Sequence, residues 1–135
     1  MSDRIANQRM RDKVMSADEA AQMIGNGAKI GMSGFTGAAY PKAMPTAIAN
    51  RAKEEHAKGN EYGIDLFTGA STAPDCDGVL AEADAVNYRM PYASDPIMRK
   101  KINDGTIKPS SFRYFTTFAR RKNAPTSRLS NKVLG

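Results

Sequence analysis

Twice in this 135-residue chain a short apolar run ends in a loop of small residues and hydroxyls, and that repeat restricts the fold more than any other feature. Lys29-Ile30-Gly31-Met32 has the length of a buried strand and feeds Ser33-Gly34-Phe35-Thr36-Gly37-Ala38. Tyr62-Gly63-Ile64-Asp65-Leu66-Phe67 alternates like a strand and feeds Thr68-Gly69-Ala70-Ser71-Thr72-Ala73-Pro74. Helix signals flank both. Ser16-Ala17-Asp18-Glu19 fits a capping box, with Ala20, Ala21, Met23 and Ile24 as the apolar face behind it and Gly25 and Gly27 as its end. From about Lys42 to Lys58, Met44, Ile48 and Ala52 recur at helical spacing, and Gly59 closes the run. A short helix near residues 78–83, a strand over 85–90, and a helix opened by Ser94 as N-cap, with Pro96 near its first position and Gly105 at its end, complete the pattern. This alternation predicts an α/β fold, a mostly parallel sheet with flanking helices. Ligands of such sheets bind at the carboxyl ends of the strands, where both small-residue loops lie.

The net charge of +6 would ordinarily suggest a polyanionic partner, so its location matters. Residues 1–108 carry fourteen basic and fourteen acidic side chains. Residues 109–135 carry Arg113, Arg120, Arg121, Lys122, Arg128 and Lys132 with no carboxylate, and they show neither a strand nor a helix period. That segment reads as a non-matching basic tail, either disordered, translated from a shifted frame or joined from elsewhere. With Phe112, Tyr114, Phe115 and Phe118 it could also serve a small basic nucleic-acid-binding module, which is the alternative reading.

Several chemistries fail on residue counts. One Cys and one His form neither a disulfide nor a structural zinc site, so no metal site is expected. No apolar run is long enough to cross a membrane, and the charged N-terminus lacks the core of a secretory signal, which makes the cytoplasm the expected location. The loop after Met32 lacks the Gly-Lys-Ser/Thr ending of a phosphate loop, and Gly25 and Gly27 precede their strand where a dinucleotide fingerprint would follow it. Gly69-Ala70-Ser71-Thr72-Ala73 approaches a nucleophile elbow, but Ala73 stands at its final Gly and His56 lies upstream, in a charged run that reads as a solvated helix end. Cys76, between Asp75 and Asp77, is expected to have a raised pKa and a structural role. Met23 and Met44 read as core fillers.

Residues 26–41, NGAKIGMSGFTGAAYP, together with TGASTAPDCDGVLAEADAV and RMPYASD, resemble the acetyl-CoA hydrolase/transferase family of class I CoA-transferases. The resemblance runs from about Arg4 to Lys108. It departs from the family pattern at Gly31, at Ser33 and at Ala39. It implies that residues 1–108 are the N-terminal part of the first of two similar α/β domains, so that this chain is a fragment ending before the second half of the active site. It also implies transfer of CoA between a short-chain acyl-CoA, such as succinyl-CoA or acetyl-CoA, and a carboxylate such as acetate. A Glu nucleophile forms the acyl anhydride in that chemistry.

Neither that Glu nor the CoA-binding loop has a matching position here, so no catalytic residue is assigned and the isolated chain is expected to be inactive. One half of a split enzyme is a further possibility. The resemblance implies no cofactor beyond coenzyme A as substrate, no nucleic acid or membrane partner, and a homo-oligomer at full length. It carries substrate contact onto Gly34, Phe35, Gly69, Ser71, Thr72 and Ser94, because a carboxylate and a developing oxyanion need hydroxyl or N–H donors brought close. Ile64, Leu66 and Phe67 are expected to want neighbours from missing strands, which would favour association or low solubility.

Overall fold

The computed structural model describes residues 4–110. Four strands pair in the order β1 (Lys29–Gly31), β2 (Ile64–Phe67), β3 (Val86–Met90) and β4 (Lys108–Pro109), all parallel. The predicted α/β class is therefore correct. β4 was not anticipated; it pairs Tyr88 with Lys108 and Arg89 with Pro109, and the Ser110 N–H donates to the Arg89 carbonyl at 3.0 Å. The basic residues from Arg113 to Lys132 lie outside the described residues.

The helices are α1 (Gln8–Arg11), α2 (Ala17–Gln22), α3 (Ala43–Ala57), α4 (Val79–Glu82) and α5 (Pro96–Asn103). A sheet ordered in sequence with right-handed crossovers gathers its crossover helices on one face. Here α2 packs on α3, α3 on α4 and α4 on α5. Beneath this row lie Ile48 and Ala52 of α3, Ile64 and Leu66 of β2, and Leu80 and Met98, all fully buried. Ile64 and Leu66 thus have cover that the sequence reading denied them; Phe67 is half-buried and meets the Tyr88 ring at 5.6 Å on the opposite face.

The capping box at Ser16 forms as expected, with the Glu19 N–H donating to Ser16 Oγ at 3.1 Å and the Ser16 N–H to Glu19 at 2.7 Å. Pro45 is accommodated in the first turn of α3, where its missing N–H would have no helical partner. Other expectations need correcting. β1 is an exposed edge among the described residues: Lys29 and Gly31 face solvent and Ile30 is half-buried. Met23 is 76% exposed, because α2 ends at Gln22 and Met23 sits in the turn beyond it. The N-cap of α5 is Asp95, whose carboxylate accepts from the Ile97 and Met98 N–H groups, each at 2.9 Å; Ser94 turns instead toward the loop after β2.

Candidate functional site

The loops after β1, β2 and β3 meet at the carboxyl end of the sheet. The strand ladder continues past the strand ends and fixes them. Met32 N–H donates to the Phe67 carbonyl at 2.8 Å, Thr68 N–H to Met90 at 3.0 Å and Ser71 N–H to Tyr92 at 2.8 Å. The first loop folds back as a tight hairpin, with Phe35 and Ala38 exchanging backbone hydrogen bonds at 3.1 and 3.2 Å and Ser33 Oγ donating to the Ala39 carbonyl at 2.7 Å. Thr36 and Gly37 form its tip, and Phe35 beside them is 63% exposed.

Gly34 and Gly69 touch. A Cβ on Gly69 would lie 2.0 Å from the Gly34 carbonyl oxygen, and one on Gly34 would lie 2.9 Å from Tyr40 Cβ and 3.1 Å from the Thr72 methyl. Their smallness lets the two backbones interlock. On the flank, the Tyr40 hydroxyl donates to Asp75, and Lys42 Nζ lies 3.1 Å from the same carboxylate and 3.7 Å from the centre of the Tyr40 ring. The Tyr40 hydrogen bond, then Lys42, hold the Asp75 pKa below its ordinary 3.8. This cluster ties the first loop to the turn after the second.

Ser71 and Ser94 come together although 23 residues separate them. Their Oγ atoms are 2.5 Å apart, and the Ser94 N–H donates to Ser71 Oγ at 3.0 Å. Ser71 is 6% exposed and holds φ at +63°, whereas Ser94 is open to solvent. A non-glycine residue in the left-handed region costs about 1–2 kcal/mol and needs its surroundings to hold it there. Thr72 is buried, and its N–H donates inward to Asp77 Oδ2 at 3.0 Å.

The family model described as "Acetyl-CoA hydrolase/transferase N-terminal domain" matches residues 1–117. The chain belongs to the acetyl-CoA hydrolase/transferase family. It is 46% identical over 105 residues to the "Succinyl-CoA:acetate CoA-transferase" of Clostridium kluyveri, covering 78% of this chain and 19% of that one. It is 50% identical over 93 residues to the "Propanoyl-CoA:succinate CoA transferase" of Escherichia coli, covering 69% and 19%. Against the "Acetyl-CoA hydrolase" of Eremothecium gossypii it is 36% identical over 96 residues, covering 71% and 18%. The chain thus spans about a fifth of the length of these curated relatives.

In this member of the acetyl-CoA hydrolase/transferase family the loops were legible in the sequence, whereas their support was not. Residues Pro74–Gly78 form one π-helical turn ahead of α4, where a plain helix was expected from about Gly78. That turn places Asp77 beneath the second loop, facing Arg89 of β3. Arg89 Nε donates to Asp77 Oδ1 at 2.8 Å and Nη2 to Oδ2 at 3.0 Å, a bidentate pair with both side chains wholly buried. Only the Asp and Arg residue types hinted at this, and nothing in their spacing marked them as partners.

Cys76 in the same turn is fully buried, and burial is the first cause of its raised pKa, with Asp77 and Asp75 adding to it and the neighbouring Thr72 and Arg89 opposing it. The direction matches expectation, but the leading cause is desolvation where carboxylate repulsion was expected. The native thiol is expected to resist a disulfide-exchange reagent at neutral pH and to react fully after denaturation; rapid labelling of the native chain would contradict this burial. His56 is exposed near the end of α3, with Nε2 2.9 Å from the Tyr62 carbonyl, as a helix-end residue should be. Among the described residues no group of three or more His, Cys, Asp or Glu side chains could hold a metal ion, and no helix is long and apolar enough to cross a membrane.

Proposed function

We propose that this chain supplies the carboxylate-facing wall of a CoA-transferase site for short-chain acyl-CoA, with the Ser71–Ser94 pair as the donor that meets the acceptor carboxylate. The pair itself carries the reading. Ser71 Oγ accepts the Ser94 N–H at 3.0 Å and lies 2.5 Å from Ser94 Oγ, a contact in which either hydroxyl can donate; we assign the proton to Ser71, whose other acceptor, the Thr72 carbonyl, is at 3.4 Å. The Ser94 proton is then left pointing outward, and a chain of hydrogen bonds behind a hydroxyl strengthens it as a donor. A carboxylate oxygen is a fitting acceptor, and succinate and acetate appear in the names of two relatives. The Glu nucleophile that the family resemblance implies has no matching position in these residues, so the chain alone is expected to give no turnover with succinyl-CoA and acetate.

Titrating the isotope-labelled chain with acetate and then succinate tests the reading. Amide shifts are expected at Ser71, Thr72 and Ser94, and Ser94→Ala is expected to weaken binding about tenfold, as for one hydrogen bond to a charged group. Shifts confined to other surfaces, or an unchanged titration for Ser94→Ala, would sink it, and robust turnover by the purified chain would overturn the expected inactivity.

A further inference from the structure

We infer that Asp77 and Arg89 are positioning residues that hold the Ser71 loop in its strained, donor-presenting conformation. The pair has no contact with solvent, and a desolvated ion pair is a poor way to stabilise a fold, since apolar side chains of similar volume often serve as well or better. Its hydrogen bonds show what it does in addition. Asp77 Oδ2 receives Arg89 Nη2 and, at the same 3.0 Å, the Thr72 N–H. Arg89 Nη1 donates to the Met90 carbonyl at 2.5 Å, and that carbonyl also receives the Thr68 N–H at 3.0 Å.

The pair therefore grips the loop at Thr68 on one side and at Thr72 on the other. Between them sits Ser71 with φ +63°, a conformation that persists only where neighbours over-determine it. A carboxylate suits this double grip, because it can accept the Arg fork and still accept one backbone N–H, which neither a hydroxyl nor an apolar residue can do. Consequences for carboxylate binding rest on the function proposed above, whereas the anchoring of the loop does not.

Two double variants of the full 135-residue chain separate anchoring from plain stability. Asp77→Leu with Arg89→Met keeps an apolar filling and removes the acceptor; Asp77→Asn with Arg89→Met removes the ion pair but keeps an acceptor for the Thr72 N–H. The first is expected to leave amide exchange at Ile48 and Leu66 near wild type, to speed exchange at Ser71 and Thr72 at least about tenfold, and to weaken acetate binding about tenfold, the size of one charged hydrogen bond. The second is expected to restore protection at Thr72 and most of the acetate affinity.

If the Leu variant folds with Thr72 as protected as in wild type, the inference is overturned. It is also overturned if the Asn variant folds with the loop as open as in the Leu variant, or if both variants unfold, because the pair is then a requirement of the whole fold. If the Leu variant unfolds and the Asn variant folds with Thr72 protected, the acceptor is what the loop needs and the inference stands. Should wild type show no acetate shift while loop exchange responds as expected, the carboxylate reading fails and the anchoring stands.

Discussion

Arg89→Met alone is expected to destabilise the chain by about 3–5 kcal/mol, the cost of leaving one member of a buried pair without its partner. Against a total of about 5–15 kcal/mol for a domain, that loss takes a large share of the stability. Asp77 and Arg89 are both at zero exposure, so the charge left behind meets no water where the pair sits. Asp77→Leu alone should cost a similar amount, because Arg89 is then the buried charge left over. The double replacement should lie closer to wild type than either single one, so the coupling energy should exceed about 3 kcal/mol, above the usual range for contacting residues. Urea unfolding of the four proteins measures this directly. Single variants within about 1 kcal/mol of wild type would mean that water reaches the pair in the folded chain.

That Arg89 is buried at all marks the limit of what could be read from the chain. Strict alternation along Val86-Asn87-Tyr88-Arg89-Met90 would send Tyr88 and Met90 inward with Val86 and leave Arg89 on the outer face. The observed register pairs Ile64 with Val86 but Asp65 with Tyr88, so one residue, Asn87, is extra on β3. A single added residue reverses which side chains face the core, and Arg89 falls opposite Leu66. Such a bulge leaves no mark in composition or period. Gly63 reflects it in space, since a Cβ there would strike the Asn87 side chain at 2.3 Å.

Features governed by local chemistry were legible. The Ser16 capping box, the long α3, the β2 strand and the placing of both small-residue loops at strand ends follow from neighbouring residues. The Ser71–Ser94 contact, the Asp95 cap that displaced Ser94, and the exposure of β1 depend on pairing across distant parts of the chain. The family resemblance bridged part of that gap by bringing Ser71, Thr72 and Ser94 forward as candidates. It could not say that Thr72 faces inward while Ser94 faces out.

Gly69→Ala is expected to separate the two loops and to cost about 3 kcal/mol, the upper end of what overpacking usually costs. The added methyl would sit 2.0 Å from the Gly34 carbonyl oxygen, with the Gly34 carbonyl carbon at 3.1 Å and Phe35 Cα at 3.6 Å. All three are backbone atoms, so no side chain can swing away to make room. Moving the first loop disturbs a hairpin closed on both sides by Phe35 and Ala38. Moving the second loop pulls on Thr68 and Ser71, whose N–H groups are bonded to Met90 and Tyr92. Either response shifts the Ser71 hydroxyl relative to Ser94, so the melting temperature should fall and, on the function proposed above, acetate binding with it. Gly37→Ala provides the contrast, because a Cβ at that position meets nothing within 4 Å, and it should leave both measurements unchanged. Equal behaviour of the two alanine variants would show that the contact between Gly34 and Gly69 is not what holds the loops together.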